Sequence, residues 1–332
     1  MGLKIAVLMG GASFERDFSL SSGRTICEAL ESAGHYVIPM DITSDLVPHL
    51  RSIRPDVVYS ALHGKHGEDG TIQSVLELLS LPYVGSCATV AKSVYNKSSR
   101  AHRLETYRAM THESTLARVP QGICISKDAC KDMGVATALD LVVECAGVAF
   151  PLAVKPARGG SAMGVSKVHD TQELARGILH ALSFDTDVIV EQWIEGTEVA
   201  VSIVGTGDAA YALTPVEIAP KMGLYDTDAR LDATAVDYFA PPRSSQLGIN
   251  GADSVQALEA IKDAALEVYR AYGMRQVGRI DMIWDGMHAY VLEANVSPGM
   301  TELSLFPMAC KAQGVTLGNV ISQFAHECVH GA

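Results

Sequence analysis

Asp281, Glu293 and Asn295 are oxygen-bearing side chains set into two otherwise apolar stretches, "RIDMIW" (279–284) and "AYVLEANV" (289–296). The two stretches flank Asp285-Gly286, a strong hairpin signal. A two-residue Asp-Gly turn would put Asp281 on the face opposite Glu293 and Asn295. A three-residue loop, Trp284-Asp285-Gly286 with Gly286 left-handed, puts all three on one face. That loop, or a longer one of the same parity, is the expectation. Hard oxygen donors without His or Cys select magnesium over zinc, and such a site completes its shell with nucleotide phosphate oxygens and water. Taken alone, Asp281 and Glu293 also read as ordinary polar residues at strand ends.

A second group fits a polyphosphate. In "KPARGGSAMG" (155–164) Lys155 ends a strand, and a glycine-rich loop with Gly160 and Ser161 follows. Small residues let backbone N–H groups approach phosphate oxygens, and the lysine adds a point charge. The loop lacks the Gly-Lys-Ser/Thr of a Walker A sequence, and by itself it also reads as a hairpin tip. Lys97 offers a second cation, or a solvated lysine on a polar helix. "VEQWIEGTE" (190–198) supplies Glu191 and Glu198 as acceptors for adenine and ribose, or as surface carboxylates. Glu15, in "GGASFERDFSL", lies just past a strand's carboxyl end, where open α/β sheets bind ligands. The nearby Gly-Gly lacks the G-x-G-x-x-G spacing of a dinucleotide fold. His63 ends another strand in "ALHGKHGEDGT", where a lone histidine is more often structural than functional.

The elements that must position these groups follow from the apolar pattern. "KIAVLMGG" is a buried strand entering a glycine turn, followed by a helix beginning near Ser19, Ser21 and Ser22 and ending near Gly34. "YVIPM" and "PDVVYSAL" are further strands, and the alternation with helices implies a parallel sheet over residues 1–90. Residues 91–192 open with one polar helix, "AKSVYNKSSRAHRLETYRAM", and continue with two short strands around the glycine loop and the strand "DVIVEQWI". Residues 193–332 hold the strands "EVAVSIVG" and "AYALTPVEI", a long loop in "LYDTDARLDATAVDY", the helix "SVQALEAIKDAALEVYRAYG" and the hairpin. The class is α/β, in three packed lobes.

Composition narrows the function. Across 332 residues, 26 Lys and Arg against 38 Asp and Glu leave a net charge of −12, which disfavours nucleic acid as a partner. No apolar run approaches the ~18 residues of a membrane span, and Ile5–Met9 is too short for a signal-peptide core. Gly2 is followed by Ala6 rather than the Ser or Thr of a myristoylation signal. The seven cysteines are scattered without a C-x-x-C pair, which suits reduced thiols in the cytoplasm.

In chain order, "MGGASFERDFSLSSG", "ALHGKHGEDGTIQ", "LPYVGS", "KPARGGSAMGVSKV", "GRIDM" and "LEANVSPGMTELSLFPM" resemble the D-alanine–D-alanine ligase family of the ATP-grasp superfamily. The resemblance implies an ATP-grasp fold with an N-terminal Rossmann-like parallel-sheet domain, ATP and D-alanine as substrates, and a homodimer. It implies Asp281, Glu293 and Asn295 as ligands of two magnesium ions, for which manganese can substitute. Lys97 and Lys155 match phosphate-binding lysines, with Gly160 and Ser161 in the phosphate loop. Glu191 and Glu198 match the adenine and ribose acceptors, and Trp193 and Ile194 the hinge. Glu15 matches the acceptor of the first D-alanine's ammonium group, and His63 a residue near its carboxylate. Arg279 and the Gly299 backbone match stabilisers of the tetrahedral oxyanion. Ser304 and Leu305 match contacts to the second carboxylate. The implied chemistry transfers the γ-phosphoryl group to a D-alanine carboxylate, and a second amine then displaces phosphate. Such steps rely on positioning and charge neutralisation, and an oxyanion donor contributes roughly 3–4 kcal/mol.

The chain departs from the family pattern at its implied lid, "KMGLYDTDARLDATAV" within about 221–240, which would shield the acyl phosphate from water. Arg230 stands where the family commonly has lysine, and Leu231 where it commonly has tyrosine hydrogen-bonded, with the serine at 161, toward Glu15. Gly159 replaces an acidic residue and Ala162 a second serine. The lid changes bear on the second substrate, so D-alanine–D-lactate and D-alanine–D-serine ligation are the rival chemistries. A non-catalytic nucleotide-binding module would be expected to lack Arg279 or a metal ligand, and all are present.

Overall fold

The computed structural model describes residues 2–112, 115–133, 144, 147–221, 235–248 and 253–330. The elements β1 (Lys4–Met9), α1 (Arg16–Ser32), β2 (Tyr36–Asp41), α2 (Leu46–Ile53), β3 (Val57–Ser60) and α3 (Thr71–Leu78) alternate, and the strands pair in parallel in the order β2-β1-β3. β1 is a continuous apolar run because both faces are covered. Ile5 and Val7 pack with Ile26 and Leu30 of α1, while Ala6 and Leu8 pack with Leu50 and Leu76. α1 starts at Arg16, ahead of the serines expected to begin it. Ser19 and Ser22 are instead buried within the helix. The Ser19 hydroxyl accepts from Gly10 N (2.9 Å) and donates to the Ala61 carbonyl (2.8 Å). These serines tether the helix to the strand ends, and Glu15 takes the N-cap position.

Two helices replace the single polar helix expected over 91–110. α4 (Ala88–Tyr95) stops at Asn96, a 3₁₀ turn spans Lys97–Ser99, and α5 (Arg100–Thr111) continues. Asn96 is extended, and its side chain accepts from Ser98 N (3.1 Å), capping the turn. Lys97 N donates to the Ala157 carbonyl at 2.8 Å, so the break holds Lys97 beside the glycine-rich loop.

β4 (Ala117–Arg118), β5 (Gly122–Ser126), α6 (Lys127–Met133), β6 (Leu152–Pro156), β7 (Ser166–Val168), α7 (Thr171–Ala181) and β8 (Asp187–Gln192) come next. Four of these strands form an antiparallel sheet in the order β5-β8-β6-β7, whose apolar face takes Leu174 and Ile178 of α7. The remaining elements are β9 (Thr197–Thr206), β10 (Tyr211–Ala212), β11 (Val216–Pro220), β12 (Val236–Phe239), α8 (Ser244–Leu247), α9 (Ser254–Tyr272), β13 (Arg275–Trp284), β14 (Ala289–Asn295), α10 (Leu305–Gln313) and α11 (Leu317–His330). The largest sheet runs β12-β11-β9-β13-β14-β4, with β10 paired to β9. One of its faces packs with α9 and with Ala91, Val94 and Leu104 of α4 and α5. The other joins the N-terminal sheet through Phe306 and Phe324 of α10 and α11. Among the described residues no helix is long and apolar enough to cross a membrane. Arg230 and Leu231 lie outside the described residues; β11 and β12, which bracket them, are tied by Lys221 N to the Ala235 carbonyl (2.9 Å).

Candidate active site

A cavity of about 450 Å³ separates the four-stranded sheet from β9, β11, β13 and β14. Lys97, Lys155, Gly160, Glu191, Trp193, Ile194, Glu198, Asp281 and Glu293, all singled out from the sequence, line it. Trp193 and Ile194 leave β8 at its wall, and Glu198 sits on β9 between Ile218 and Ile283 of the neighbouring strands.

The β13–β14 hairpin delivers the oxygen donors to one face by a route other than the one expected. Trp284 pairs with Ala289, so the hairpin closes through an even-length loop, Asp285–His288. Gly286 is left-handed there (φ 95°), as the sequence suggested. The three-residue loop is therefore corrected: with regular pairing, this turn would put Leu292 opposite Asp281. A β-bulge between Met282/Val291 and Asp281/Glu293 inserts Leu292 as the extra residue and restores the phase. Asp281 then opposes Glu293, and Arg279 opposes Asn295. Both Leu292 and Glu293 reach the cavity.

Each carboxylate at this end meets a cation. Arg279 grips Asp281 with Nε (2.7 Å) and a terminal nitrogen (2.8 Å), a two-point fork typical of guanidinium and carboxylate. Lys97 Nζ lies 3.1 Å from Glu293 Oε2 and also donates to the Gly159 carbonyl. The Asn295 side-chain oxygen accepts from Ser297 N (2.7 Å), which fixes its amide. Lys155 Nζ pairs with Glu191 Oε1 at 2.5 Å, and Arg100 meets the other carboxylate oxygen at 2.6 Å. Burial, then the nearby Arg100 charge, pushes the Lys155 ammonium down to about 8, against the pull of Glu191. Burial opposes the charge on Glu191 too, but Arg100 and Lys155 hold it below the usual carboxylate range.

The remaining candidates gather where the N-terminal sheet meets the glycine-rich loop. Ser161 and Ala162 both hold a φ of 54°, a left-handed pair uncommon outside glycine. The loop turns Ser161 to donate to Glu15 Oε1 at 2.5 Å, so Ser161 serves Glu15 rather than the cavity wall. His63 is buried, with Nε2 3.2 Å from Ser22 Oγ and its ring on that of Phe18 (4.8 Å). Ser22 also accepts from Met300 N (3.3 Å), which joins His63 to the segment 298–300 after β14. Gly299 packs closely there: a Cβ would stand 2.5 Å from the Phe18 ring and 2.8 Å from Ser304 Oγ, so a larger residue would have to push those side chains aside. Ser304 precedes the first residue of α10, Leu305, whose side chain is buried in the core. These two can therefore offer a carboxylate a hydroxyl and the amides of a helix N-terminus.

Sequence reasoning missed Arg100. In "KSSRAHRLETYR" it looks like any arginine of a polar helix, and no local signal separates it from Arg103 or Arg108.

Family models described as the D-ala D-ala ligase N-terminus and C-terminus match residues 49–86 and 131–326. The D-alanine–D-alanine ligase of Desulforamulus reducens is 37% identical over 317 residues, 95% of each chain. Among solved structures, the VanG D-Ala:D-Ser ligase of Enterococcus faecalis superposes with a TM-score of 0.79 at 26% identity, covering 99% of this chain and 100% of that one. The D-alanine–D-alanine ligase of Bacillus anthracis complexed with ATP gives 0.75 at 24% identity, covering 99% and 98%, a likeness of fold.

Proposed function

The chain belongs to the D-alanine–D-alanine ligase family, and on that premise we propose how its residues divide the work of joining two D-alanines with ATP. The observation that carries the reading is the shared end of one cavity, where Lys97, Lys155, Asp281 and Glu293 converge, with Arg279 on Asp281 and Glu15 held by Ser161 of the glycine-rich loop. The adenine lies against Trp193 and Ile194, near the acceptors Glu191 and Glu198. The polyphosphate runs beneath the glycine-rich loop to the two lysines.

Asp281, Glu293 and Asn295 are hard oxygen donors, and register pairing across the hairpin brings the two carboxylates face to face. This donor set fits magnesium, with manganese able to replace it. When bound, the ions neutralise phosphate charge and polarise phosphoryl oxygens. Arg279 and Lys97 already balance the two carboxylates, so the donor set is held ready at modest electrostatic cost.

Glu15 receives the ammonium group of the first D-alanine, with Ser161 fixing the carboxylate and His63 beside the substrate's own carboxylate. That carboxylate oxygen attacks the γ-phosphorus, the bond to the β-phosphate oxygen breaks, and ADP leaves. The second D-alanine, its carboxylate at Ser304 and the Leu305 amide, attacks the acyl carbon through its deprotonated amine. The acyl–oxygen bond to phosphate breaks and an amide remains. Arg279 and the Gly299 amide stabilise the oxyanion between these events. The product serves peptidoglycan precursor synthesis in the cytoplasm, where ATP is available. Two copies associate, which sedimentation of the purified protein would reveal as a mass twice that of the chain.

The test is ADP release by the purified protein with Mg²⁺, ATP and D-alanine, then with added D-lactate or D-serine, the products being weighed. A D-alanyl dipeptide unaffected by the additions carries the reading. Mixed products would move the second substrate to the rival chemistry, for which Leu231→Tyr should restore selection of D-alanine. No ADP with any D-amino acid would sink it.

A further inference from the structure

Arg100 opens α5 directly after the turn that carries Lys97, and it is 4% exposed. Nε donates to the Lys97 carbonyl (2.7 Å), and one terminal nitrogen to the Glu191 carboxylate (2.6 Å). The other terminal nitrogen donates to the successive carbonyls of Val291 (2.9 Å) and Leu292 (2.5 Å). Successive carbonyls of a regular strand point opposite ways. They converge on one donor here because the strand bulges at Leu292. Arg100 does not line the cavity, so whatever it does there it does through its partners. Those partners lie on three separate segments, and each leads to a charged group of the cavity: Lys97 itself, Glu293 next to Leu292, and, from Glu191 on β8, Lys155 on β6, which it pairs through Oε1.

We propose that Arg100 is the positioning residue of the nucleotide site. Its buried guanidinium sets the Lys97 turn, the bulged end of β14 and the Glu191 carboxylate against one another, and so fixes where Lys97, Glu293 and Lys155 meet the polyphosphate. This rests on the cavity being the ATP site. A lysine cannot do the same, because a single ammonium on a flexible stem lacks the planar fork that reaches acceptors on three sides.

Arg100→Met and Arg100→Lys test it against the wild-type enzyme. For Arg100→Met the KM for ATP rises about 10- to 100-fold, the range for losing hydrogen bonds made by a charged group. The KM for D-alanine at the Glu15 end stays within about twofold, since Arg100 makes no hydrogen bond of its own there and reaches it only through the glycine-rich loop. The alkaline limb of the ATP KM profile also moves to higher pH. The charges facing Lys155 are Glu191, Arg100 and Lys97, and only the first favours its protonated form. Arg100→Lys keeps the charge near Glu191 but not the fork, and its KM for ATP lies between the two.

A merely structural Arg100 would lower the thermal midpoint while leaving the KM for ATP and the alkaline limb unchanged in folded Arg100→Met, and that result overturns the proposal. If Arg100→Met does not fold, Arg100→Lys decides: a wild-type KM for ATP overturns the proposal and a raised one supports it. Should the wild type release no ADP with D-alanine, the functional reading fails separately. Calorimetry of ATP binding to wild type and Arg100→Lys would then still judge Arg100.

Discussion

Lys155 shows how burial alters a common side chain. Its ammonium sits near 8 because desolvation and the Arg100 charge outweigh the pull of Glu191. A depressed lysine loses its proton as pH rises through that value, whereas bound triphosphate favours the charged form. ATP binding should therefore weaken above about pH 8. At pH 8.5 it should take up a fraction of a proton, detectable as a dependence of binding heat on the buffer's ionisation enthalpy. Lys155→Arg keeps the charge and should remove that dependence; a wild-type binding heat independent of buffer would contradict the assignment. At the other end of the site, Glu15→Gln should raise the KM for the first D-alanine about tenfold or more, the usual effect of weakening a charged hydrogen bond. Initial rates at fixed, saturating ATP measure this, and an unchanged KM would remove Glu15 from the ammonium site. Lys155 and Glu15 stood out as candidates because a glycine loop and a strand end flag them, and Asp281 because it is a carboxylate inside an apolar strand. Arg100 was not, because its role comes from three segments that meet only in the folded chain.

Helix breaks and bulges decide more here than helices and strands do. The strands were legible as apolar runs, and the β13–β14 hairpin as its Asp-Gly turn. Turn length and register were not, since a bulge is invisible in the pattern of side chains: Leu292 reads like any other apolar strand residue. The break after Tyr95 was hidden for a related reason. Asn96, Lys97, Ser98 and Ser99 continue a polar helical pattern, and the break is set by distant partners such as the Ala157 carbonyl. Asn96→Ala removes the side-chain acceptor for Ser98 N and should cost about 1 kcal/mol, as N-cap losses do. Because the turn carries Lys97, the loss should appear as a raised KM for ATP as well as a lower thermal midpoint. A lower midpoint with the KM unchanged would mean that the Ala157 bond alone fixes Lys97.

At the scale of the molecule, the N-terminal sheet is clamped to the C-terminal helix through His35. Its Nδ1 accepts from Leu3 N (3.1 Å), Nε2 lies 2.8 Å from Ser322 Oγ, and the His326 ring is 5.3 Å away. Burial and His326 hold His35 below its ordinary value of 6.5. Between that lowered value and 6.5 the unfolded chain binds more protons than the folded one. The clamp's contribution is therefore full above 6.5 and is lost as pH falls through this window. His35→Gln, whose amide oxygen accepts without titrating, should flatten the decline of thermal midpoint between pH 7 and 5; a parallel decline in both proteins would exonerate His35. The fold also ties one substrate to the other. The glycine-rich loop, which we propose covers the polyphosphate, also carries the Ser161 hydroxyl that rests on Glu15, the carboxylate we assign to the amino acid. A site built this way makes its two ligands partners in one equilibrium. Whatever factor D-alanine applies to the affinity for ATP, ATP must return to D-alanine, and the order in which they arrive cannot change the sum.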